Sequence, residues 1–266
     1  NLQVSRCRIC GDDMSEDLVA KGRLVAAYAT TPSQVESCQR LRYRCFIQGT
    51  GAKPADDGLD RDSFDQRYRH VLVRDSASGA VLGTFRFLLI GSASDQVGSY
   101  AAQFHDLSVL AQFGWPQLEL GRFCVDPYIG PLAVDVLRVA WAALTQIVDQ
   151  TGTTVLFGCS SFSGTDPTAY AAALSYLAEN HLGPHGDAGP TQKTDLVFAL
   201  PRQGVPDRRA ALGQLPPLLR TYLQMGGWVG GHGVIDRDLN TFHLLTAVEI
   251  GRIPADRARR LRDLSD

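Results

Sequence analysis

The sequence predicts an α/β fold in which helices flank a mixed central sheet. Strand-like and helix-like patterns alternate along the chain, which is typical of this class. Two strand patterns, 68–74 and 80–90, are joined by a short turn rich in Ser and Gly, which favours an antiparallel hairpin. A strand–helix–strand pattern over 118–158 indicates a crossover between parallel strands. A sheet that contains both connections must be mixed.

The first half of the chain begins with a polar lead-in, 1–21, and a strand at 22–31. Ser33 and Glu36 have the spacing of a capping box and predict a helix over 34–48, whose apolar residues recur on one stripe. A polar loop, 49–65, rich in Gly and Asp, leads into the hairpin. Short helices are expected within 99–113.

The second half begins with the crossover. It comprises a strand at 118–125, a helix over 132–150 that starts after Pro131, and a buried strand at 153–158. The remaining patterns predict helices at 168–180, 215–223 and 257–264, and strands at 196–200 and 242–250. We interpret 22–266 as one domain, with a core to about residue 190 and an extension over 191–266 that completes the same sheet.

Composition excludes several classes of protein. The chain has 266 residues, of which 44% are hydrophobic and 20% charged, so it is neither disordered nor fibrous. A net charge of −2 argues against nucleic acid as a partner. No apolar run approaches the ~18 residues of a membrane span and no leader is visible, so we expect a cytoplasmic protein. Six cysteines do not make a disulfide framework in a chain this long, and the six histidines show no metal-ligand spacing, so no metal is predicted.

Glu119 is the residue that stands out most clearly. The chain has only five glutamates, and this one lies between Leu118 and Leu120 in a strand expected to be buried. A buried carboxylate is costly unless it is paired, and burial raises its pKa. Glu119 therefore acts either as a general base or as one half of a structural ion pair with an arginine.

Several arginines and aspartates are candidate partners. Arg122 lies three residues after Glu119, and the two converge only if the strand is bulged; it either holds the structure or binds a substrate carboxylate. Arg86 lies on an apolar strand face and needs an acidic partner, with Glu119, Asp62 and Asp65 as the candidates. The two loop aspartates either bind a substrate amine or are simply solvated.

Cys159 is the candidate nucleophile, since it lies at the end of a strand. No histidine is close to it in sequence, so a buried structural thiol is the favoured interpretation.

Seven stretches of the chain resemble bacterial ornithine N-acyltransferases, which have the GNAT acyltransferase fold. They are LRYRCF (41–46), LDRDSFDQ (59–66), LELGRFCV (118–125), LFGCSSFSGTDP (156–167), LSYL (174–177), PPLLRTYLQMGGWVG (216–230) and IDRDLNT (235–241). The resemblance implies transfer of a fatty acyl group, 3-hydroxylated in this family, from acyl carrier protein to the α-amine of L-ornithine, which forms lyso-ornithine lipid. It also implies loose contact with the inner membrane surface.

Acyl-homoserine lactone synthases are more distant relatives and share the first half of the chain. Their functional positions correspond here to catalytic candidates Glu119 and Arg122 and to substrate-binding candidates Arg42, Phe46, Asp62, Asp65, Arg86 and Phe104. A tryptophan that the synthases carry in the first loop is absent here, which argues against a lactone synthase. The glycine-rich coenzyme A motif is also absent, because the turn at 126–131 has one glycine, and this favours a carrier-protein donor. No cofactor is implied, since phosphopantetheine arrives on that donor.

The implied mechanism is direct transfer, with Glu119 as the base and backbone N–H groups of a splayed strand stabilising the oxyanion. The implied donor-binding residues are Gly121, Phe123, Cys124, Val125, Gly130 and Cys159, and the acyl channel is expected to contain Phe85, Phe87, Phe104 and Phe123. Two alternatives stay open. The acceptor could be another amino acid, such as glutamine or glycine, or the chain could be a non-catalytic module that binds acyl carrier protein or lipid.

Overall fold

The computed structural model describes residues 17–183, 196–201 and 207–263. Within these ranges, nine strands form one sheet in the order β1-β2-β3-β4-β5-β6-β9-β8-β7. The strands are β1 (Asp17–Lys21), β2 (Leu24–Tyr28), β3 (Arg69–Asp75), β4 (Val81–Ile90), β5 (Gln117–Val125), β6 (Val155–Ser163), β7 (Val197–Ala199), β8 (Trp228–Asp236) and β9 (Thr241–Glu249). Neighbouring strands are antiparallel except β5 and β6, which are parallel, so the predicted mixed sheet is confirmed.

Seven α-helices accompany the sheet in the part of the chain that the structure describes. They are α1 (Pro32–Phe46), α2 (Ala93–Gln96), α3 (Leu132–Thr151), α4 (Ala171–Asn180), α5 (Arg208–Gln214), α6 (Pro217–Gln224) and α7 (Ala255–Arg262). Short 3-10 turns occupy much of 101–113, where short helices were expected. Within the described ranges, no helix combines the length and the apolar character needed to cross a membrane.

Helices cover both faces of the sheet, so strand residues are buried on both sides. Val71 and Val73 of β3 belong to the core that also contains α3 residues Ala140 and Leu144. Leu72, between them, packs instead against Cys38 of α1. Successive side chains of a strand point to opposite faces, so α3 and α1 lie on opposite sides.

Three local expectations were wrong. Helix α1 is capped by Thr31 with Gln34, not by Ser33 with Glu36, because Pro32 fits the first helical position and Ser33 is already helical. The end of the lead-in, Asp17–Lys21, is a strand because it pairs along β2. Strand β8 was not predicted because glycine is a weak strand former; pairing with β9 and β7 holds this glycine-rich segment extended.

The two parallel strands at the centre of the sheet diverge, as the family resemblance implied. Strands β5 and β6 pair only from Gln117 to Glu119 and from Val155 to Phe157, although both strands continue further. Just beyond, a Cβ atom on Gly158 would lie 2.3 Å from the Leu120 carbonyl oxygen, so only glycine allows this approach. The register of β5 against β4 shifts opposite Phe85, and Arg122 has a φ of +53°. Strand β5 is therefore bulged beside the split.

Candidate active site

A cavity of about 350 Å³ occupies the split between β5 and β6. Its polar end contains Arg86, Glu119, Arg122, Asp236 and His243, and its apolar end contains Leu120, Phe123, Leu218, Leu219 and Tyr222. Glu119 pairs with Phe157, and His243 pairs with Ser161, so alternation places Glu119, Cys159 and His243 on one face of the sheet and Leu120 on the other. The cavity thus passes through the sheet, with charged groups on one side and apolar groups on the other.

The polar end is built on a closed ring of alternating charges. Its members, in order around the ring, are Arg42, Asp60, Arg122, Asp62, Arg86 and Asp65, which contacts Arg42 again. The six nitrogen-to-oxygen distances lie between 2.5 and 3.3 Å. We call this set the arginine–aspartate ring. Three positive and three negative charges balance, which is how so many ions remain buried together.

The ring lowers the pKa of two of its aspartates, Asp60 and Asp65. Burial alone would raise the pKa of the Asp60 carboxyl, but the charges of Arg122 and Arg42 outweigh it and hold the pKa below its usual range. The pKa of Asp65 is also lowered, because hydrogen bonds and charge from Arg42 and Arg86 overcome the effect of burial. Asp60 and Asp65 are therefore anions whose oxygens face arginines. Asp62 and Asp65 are not simply solvated.

Glu119 contacts a different set of donors. It is 2% exposed, and its side chain accepts hydrogen bonds from the Tyr68 hydroxyl, the Tyr100 N–H (3.0 Å) and the Ala101 N–H (2.7 Å). Burial raises the pKa of Glu119, and these three hydrogen bonds oppose part of the rise. No ion pair joins Glu119 to an arginine within the described part of the chain. The carboxyl group thus joins β5 to the Tyr100–Ala101 turn.

Three histidines form a buried cluster at the polar end. His105 Nδ1 lies 3.0 Å from His232 Nε2, and His105 Nε2 lies 3.4 Å from His243 Nδ1. Burial lowers the pKa of His105 to about 2 and that of His243 to about 4, with the neighbouring histidines adding to both shifts. His105, His243 and Cys159 each have one atom that could ligate a metal ion, and these three atoms lie within 4.8 Å of one another. The spacing of these residues in the sequence did not indicate such a group. Burial also raises the pKa of the Cys159 thiol, which favours its structural interpretation over a nucleophile.

The structure brings most of the predicted residues together. Five join the ring (Arg42, Asp62, Asp65, Arg86 and Arg122), and five others line the cavity (Phe46, Glu119, Gly121, Phe123 and Cys159).

The other predicted residues lie outside the cavity lining. Cys124 is buried beside Cys45, Val125 ends β5, and Gly130 lies in the exposed turn before α3. Phe104 packs against Tyr100 and His243. Phe85 and Phe87 of the predicted acyl channel do not line the cavity; they are buried in the core on the α3 face, where Phe85 stacks on the cavity residue Phe123.

Five functional candidates were missed. They are Asp60, Tyr68, Tyr100, Asp236 and His243. Asp60 had a usable signal, because it alternates with Asp62 in the loop that was already singled out. The two tyrosines and His243 had none, since their importance comes from contacts made across the fold.

Comparison with known proteins identifies the family. Residues 41–132 match the acetyltransferase (GNAT) domain. The L-ornithine N(alpha)-acyltransferase of Rhodobacter capsulatus is 34% identical over 83% of this chain and 88% of its own length. The chain belongs to the L-ornithine N(alpha)-acyltransferase family. The enzyme of the same name from Brucella abortus is 30% identical over 87% of the chain and 86% of its own length.

The fold is shared more widely. The structure of an N-acyl amino acid synthase from uncultured soil microbes superposes with a TM-score of 0.50 at 11% identity, covering 87% of this chain and 94% of that one. That structure shows the fold alone, whereas the family membership and the matched GNAT domain make this protein an acyltransferase, as the sequence resemblance implied.

Proposed function

We propose that this acyltransferase moves a fatty acyl group from acyl carrier protein to the α-amine of L-ornithine, forming lyso-ornithine lipid. The observation that carries the proposal is the cavity that passes through the split sheet. A reaction between an acyl thioester and a charged amino acid needs two substrates of opposite character to meet at one point. The apolar and charged ends of the cavity meet at the β5 bulge.

The apolar end suits the acyl donor. Leu218, Leu219 and Tyr222 of α6 line the cavity together with Phe123 of β5. Burying an alkyl chain there contributes about 0.8 kcal/mol for each methylene removed from water. The donor's own phosphopantetheine supplies the reacting thioester, so the proposal needs no resident cofactor. A lysolipid product implies contact between the protein and a membrane surface when the product leaves.

The charged end suits ornithine. Asp236 lines the cavity, and its side chain accepts a hydrogen bond from the Leu239 N–H at 3.0 Å. In the described residues it has no ion pair, whereas the aspartates of the ring are all engaged by arginines. We assign Asp236 to the side-chain ammonium of ornithine. Arg122 presents a guanidinium at the same end, which suits the α-carboxylate.

The transfer balances as a direct acyl exchange. The neutral α-amine attacks the thioester carbonyl carbon, and the carbonyl electron pair moves to oxygen. The adduct loses its N–H proton, the carbonyl re-forms, the C–S bond breaks, and the departing thiolate takes up a proton. The general-base role of Glu119 stays a prediction, and its carboxyl group already accepts three hydrogen bonds.

Product analysis tests the proposal directly. The full chain is incubated with 3-hydroxyacyl carrier protein and, separately, with the same acyl group on coenzyme A, and with ornithine, glutamine and glycine in turn. Mass spectrometry of the lipids should show acyl-ornithine formed faster from the carrier protein. Acylation of glutamine or glycine in preference to ornithine would contradict ornithine as the acceptor. If no amino acid is acylated, the result supports the alternative that the chain is a non-catalytic binding module.

Asp236→Asn tests the acceptor assignment. Loss of a hydrogen bond to a charged group, about 1.5–3 kcal/mol, should raise the KM for ornithine roughly 10- to 100-fold. The preference for ornithine over norvaline, which lacks the side-chain ammonium group, should fall by a similar factor. Asp238→Asn, at an exposed neighbour outside the cavity lining, is the matched control. Unchanged discrimination in Asp236→Asn would refute the assignment.

A further inference from the structure

The buried histidine cluster is a hydrogen-bonded chain that leads to the cavity. His105 comes from the segment between β4 and β5, His232 from β8 and His243 from β9. All three are at most 3% exposed. His105 uses both ring nitrogens, one towards His232 at 3.0 Å and the other towards His243 at 3.4 Å. Of the three, His243 lines the cavity.

Hydrogen-bond accounting leaves the nitrogen at the cavity end of the chain, on His243, unused. A neutral imidazole carries one N–H donor and one acceptor nitrogen. Two sets of tautomers satisfy both bonds, and we take the set in which His105 Nδ1 donates to His232 and His243 Nδ1 donates to His105. His243 Nε2 then carries a lone pair. It is buried and has no hydrogen-bond partner within the described residues.

The surroundings keep His243 neutral. The titratable and charged groups around it are His105, His232, Cys159, Tyr100, Glu119, Arg122 and Asp236. Burial is the largest cause of its low pKa, followed by His232 and Arg122. The Phe104 ring packs against the imidazole at a centroid distance of 5.0 Å, which fixes its orientation. The Nε2 lone pair is thus available throughout the neutral pH range.

We propose that His243 is a catalytic residue of the acyl transfer, with Nε2 accepting the proton that the amine nitrogen loses. His105 and His232 are positioning residues: His105 is bonded to His243 Nδ1 and His232 is bonded to His105, so together they hold the His243 ring in place. This inference rests on the proposed function, because it needs an amine that attacks a thioester in the cavity.

The proton transfer completes the exchange already described. When the amine attacks, the new C–N bond leaves a cationic nitrogen in the adduct, which is far more acidic than a free ammonium group. Even a weakly basic imidazole can remove that proton. The His243 imidazolium then gives the proton to the thiolate as the C–S bond breaks, and the imidazole is restored for the next turnover.

The His243 imidazole fits this role better than the carboxylate and thiol groups at the site. Glu119 already accepts three hydrogen bonds, and Asp236 accepts one and is assigned to the substrate side chain. The Cys159 thiol stays protonated. Among the described residues, no donor forms a hydrogen bond to Nε2 of the His243 imidazole.

Two substitutions at His243 separate a chemical role from a structural one. His243→Asn keeps a donor near the Nδ1 position, and so the bond to His105, but removes Nε2. His243→Ala leaves space for added imidazole. The matched control is His181→Asn, because His181 lies after α4, contacts Tyr176 and does not line the cavity.

Single-turnover amide formation from 3-hydroxyacyl carrier protein and ornithine is measured at saturation across pH and buffer concentration. His243→Asn should lose 10²- to 10⁴-fold in rate at neutral pH, the range expected for general-base catalysis, and its residual rate should rise with buffer concentration. Imidazole should restore part of the rate of His243→Ala. His181→Asn should behave as wild type.

Three results would overturn the inference. The first is a wild-type rate in His243→Asn. The second is a rate in folded His243→Ala that is as low as that of His243→Asn and that neither imidazole nor buffer raises. The third is one equivalent of metal in the purified protein that is absent from His243→Asn. The last would make the lone pair a metal ligand. A wild-type protein that acylates no amine contradicts the proposed function itself, so the two failures are distinguishable.

Discussion

Replacing Asp60 with asparagine should destabilise the fold strongly, because it unbalances the arginine–aspartate ring. Asp60 is 4% exposed and accepts hydrogen bonds from Arg42 Nε at 2.8 Å and from Arg122 Nε at 2.9 Å. Both bonds end on the same oxygen, Oδ2, so an asparagine amide oxygen in that position can still accept them, but the negative charge between the two guanidinium groups is lost. The ring then contains three positive and two negative charges.

The expected cost is about 3–5 kcal/mol, the range for removing one partner of a buried ion pair. That is a large part of a typical stability of about 5–15 kcal/mol. Asp57→Asn is the matched control in the same loop. Asp57 pairs with Arg61, but their side chains are 41% and 57% exposed, so the substitution should cost less than about 1 kcal/mol.

Urea unfolding at pH 7 measures the difference between the two variants, provided that the slope with denaturant is unchanged. The pH dependence gives a second check. The pKa of Asp60 is lowered in the folded state, so its stabilising effect is present above the unfolded value of about 3.9 and is lost as pH falls through the folded value. The gap between Asp60→Asn and wild type should therefore narrow below about pH 4. Equal costs for Asp60→Asn and Asp57→Asn would refute this account of the ring.

Two further substitutions test the cavity. Glu119→Gln places an amide nitrogen against the Tyr68, Tyr100 or Ala101 donors, so the free energy of unfolding should fall by about 1–3 kcal/mol. Amide formation should also fall. Near-normal turnover by the folded variant would show that Glu119 is not the base. Gly158→Ala would place Cβ 2.3 Å from the Leu120 carbonyl oxygen and should cost about 1–3 kcal/mol with loss of activity. Gly213→Ala, in α5 with open space around it, should not destabilise, and a harmless Gly158→Ala would show that the split tolerates a side chain.

The parts of the fold that depend on local pattern were predictable. Helix α3, the β3–β4 hairpin and strand β5 follow from apolar periodicity and turn residues, which act over a few positions in the chain. Strand β8 was missed for the same reason. Its glycine-rich sequence lacks a local strand signal, and only pairing with β9 and β7 holds it extended.

The sequence by itself determined the sheet class, the family and most members of the arginine–aspartate ring, because these reside in short motifs. Only the tertiary structure decided which charges pair, that Glu119 contacts tyrosine and backbone donors rather than an arginine, and that the histidines meet. His105 is separated from His232 by 127 positions and from His243 by 138. Contacts over such distances are made by the pairing of β6, β8 and β9 and by burial, neither of which leaves a periodic trace in the sequence.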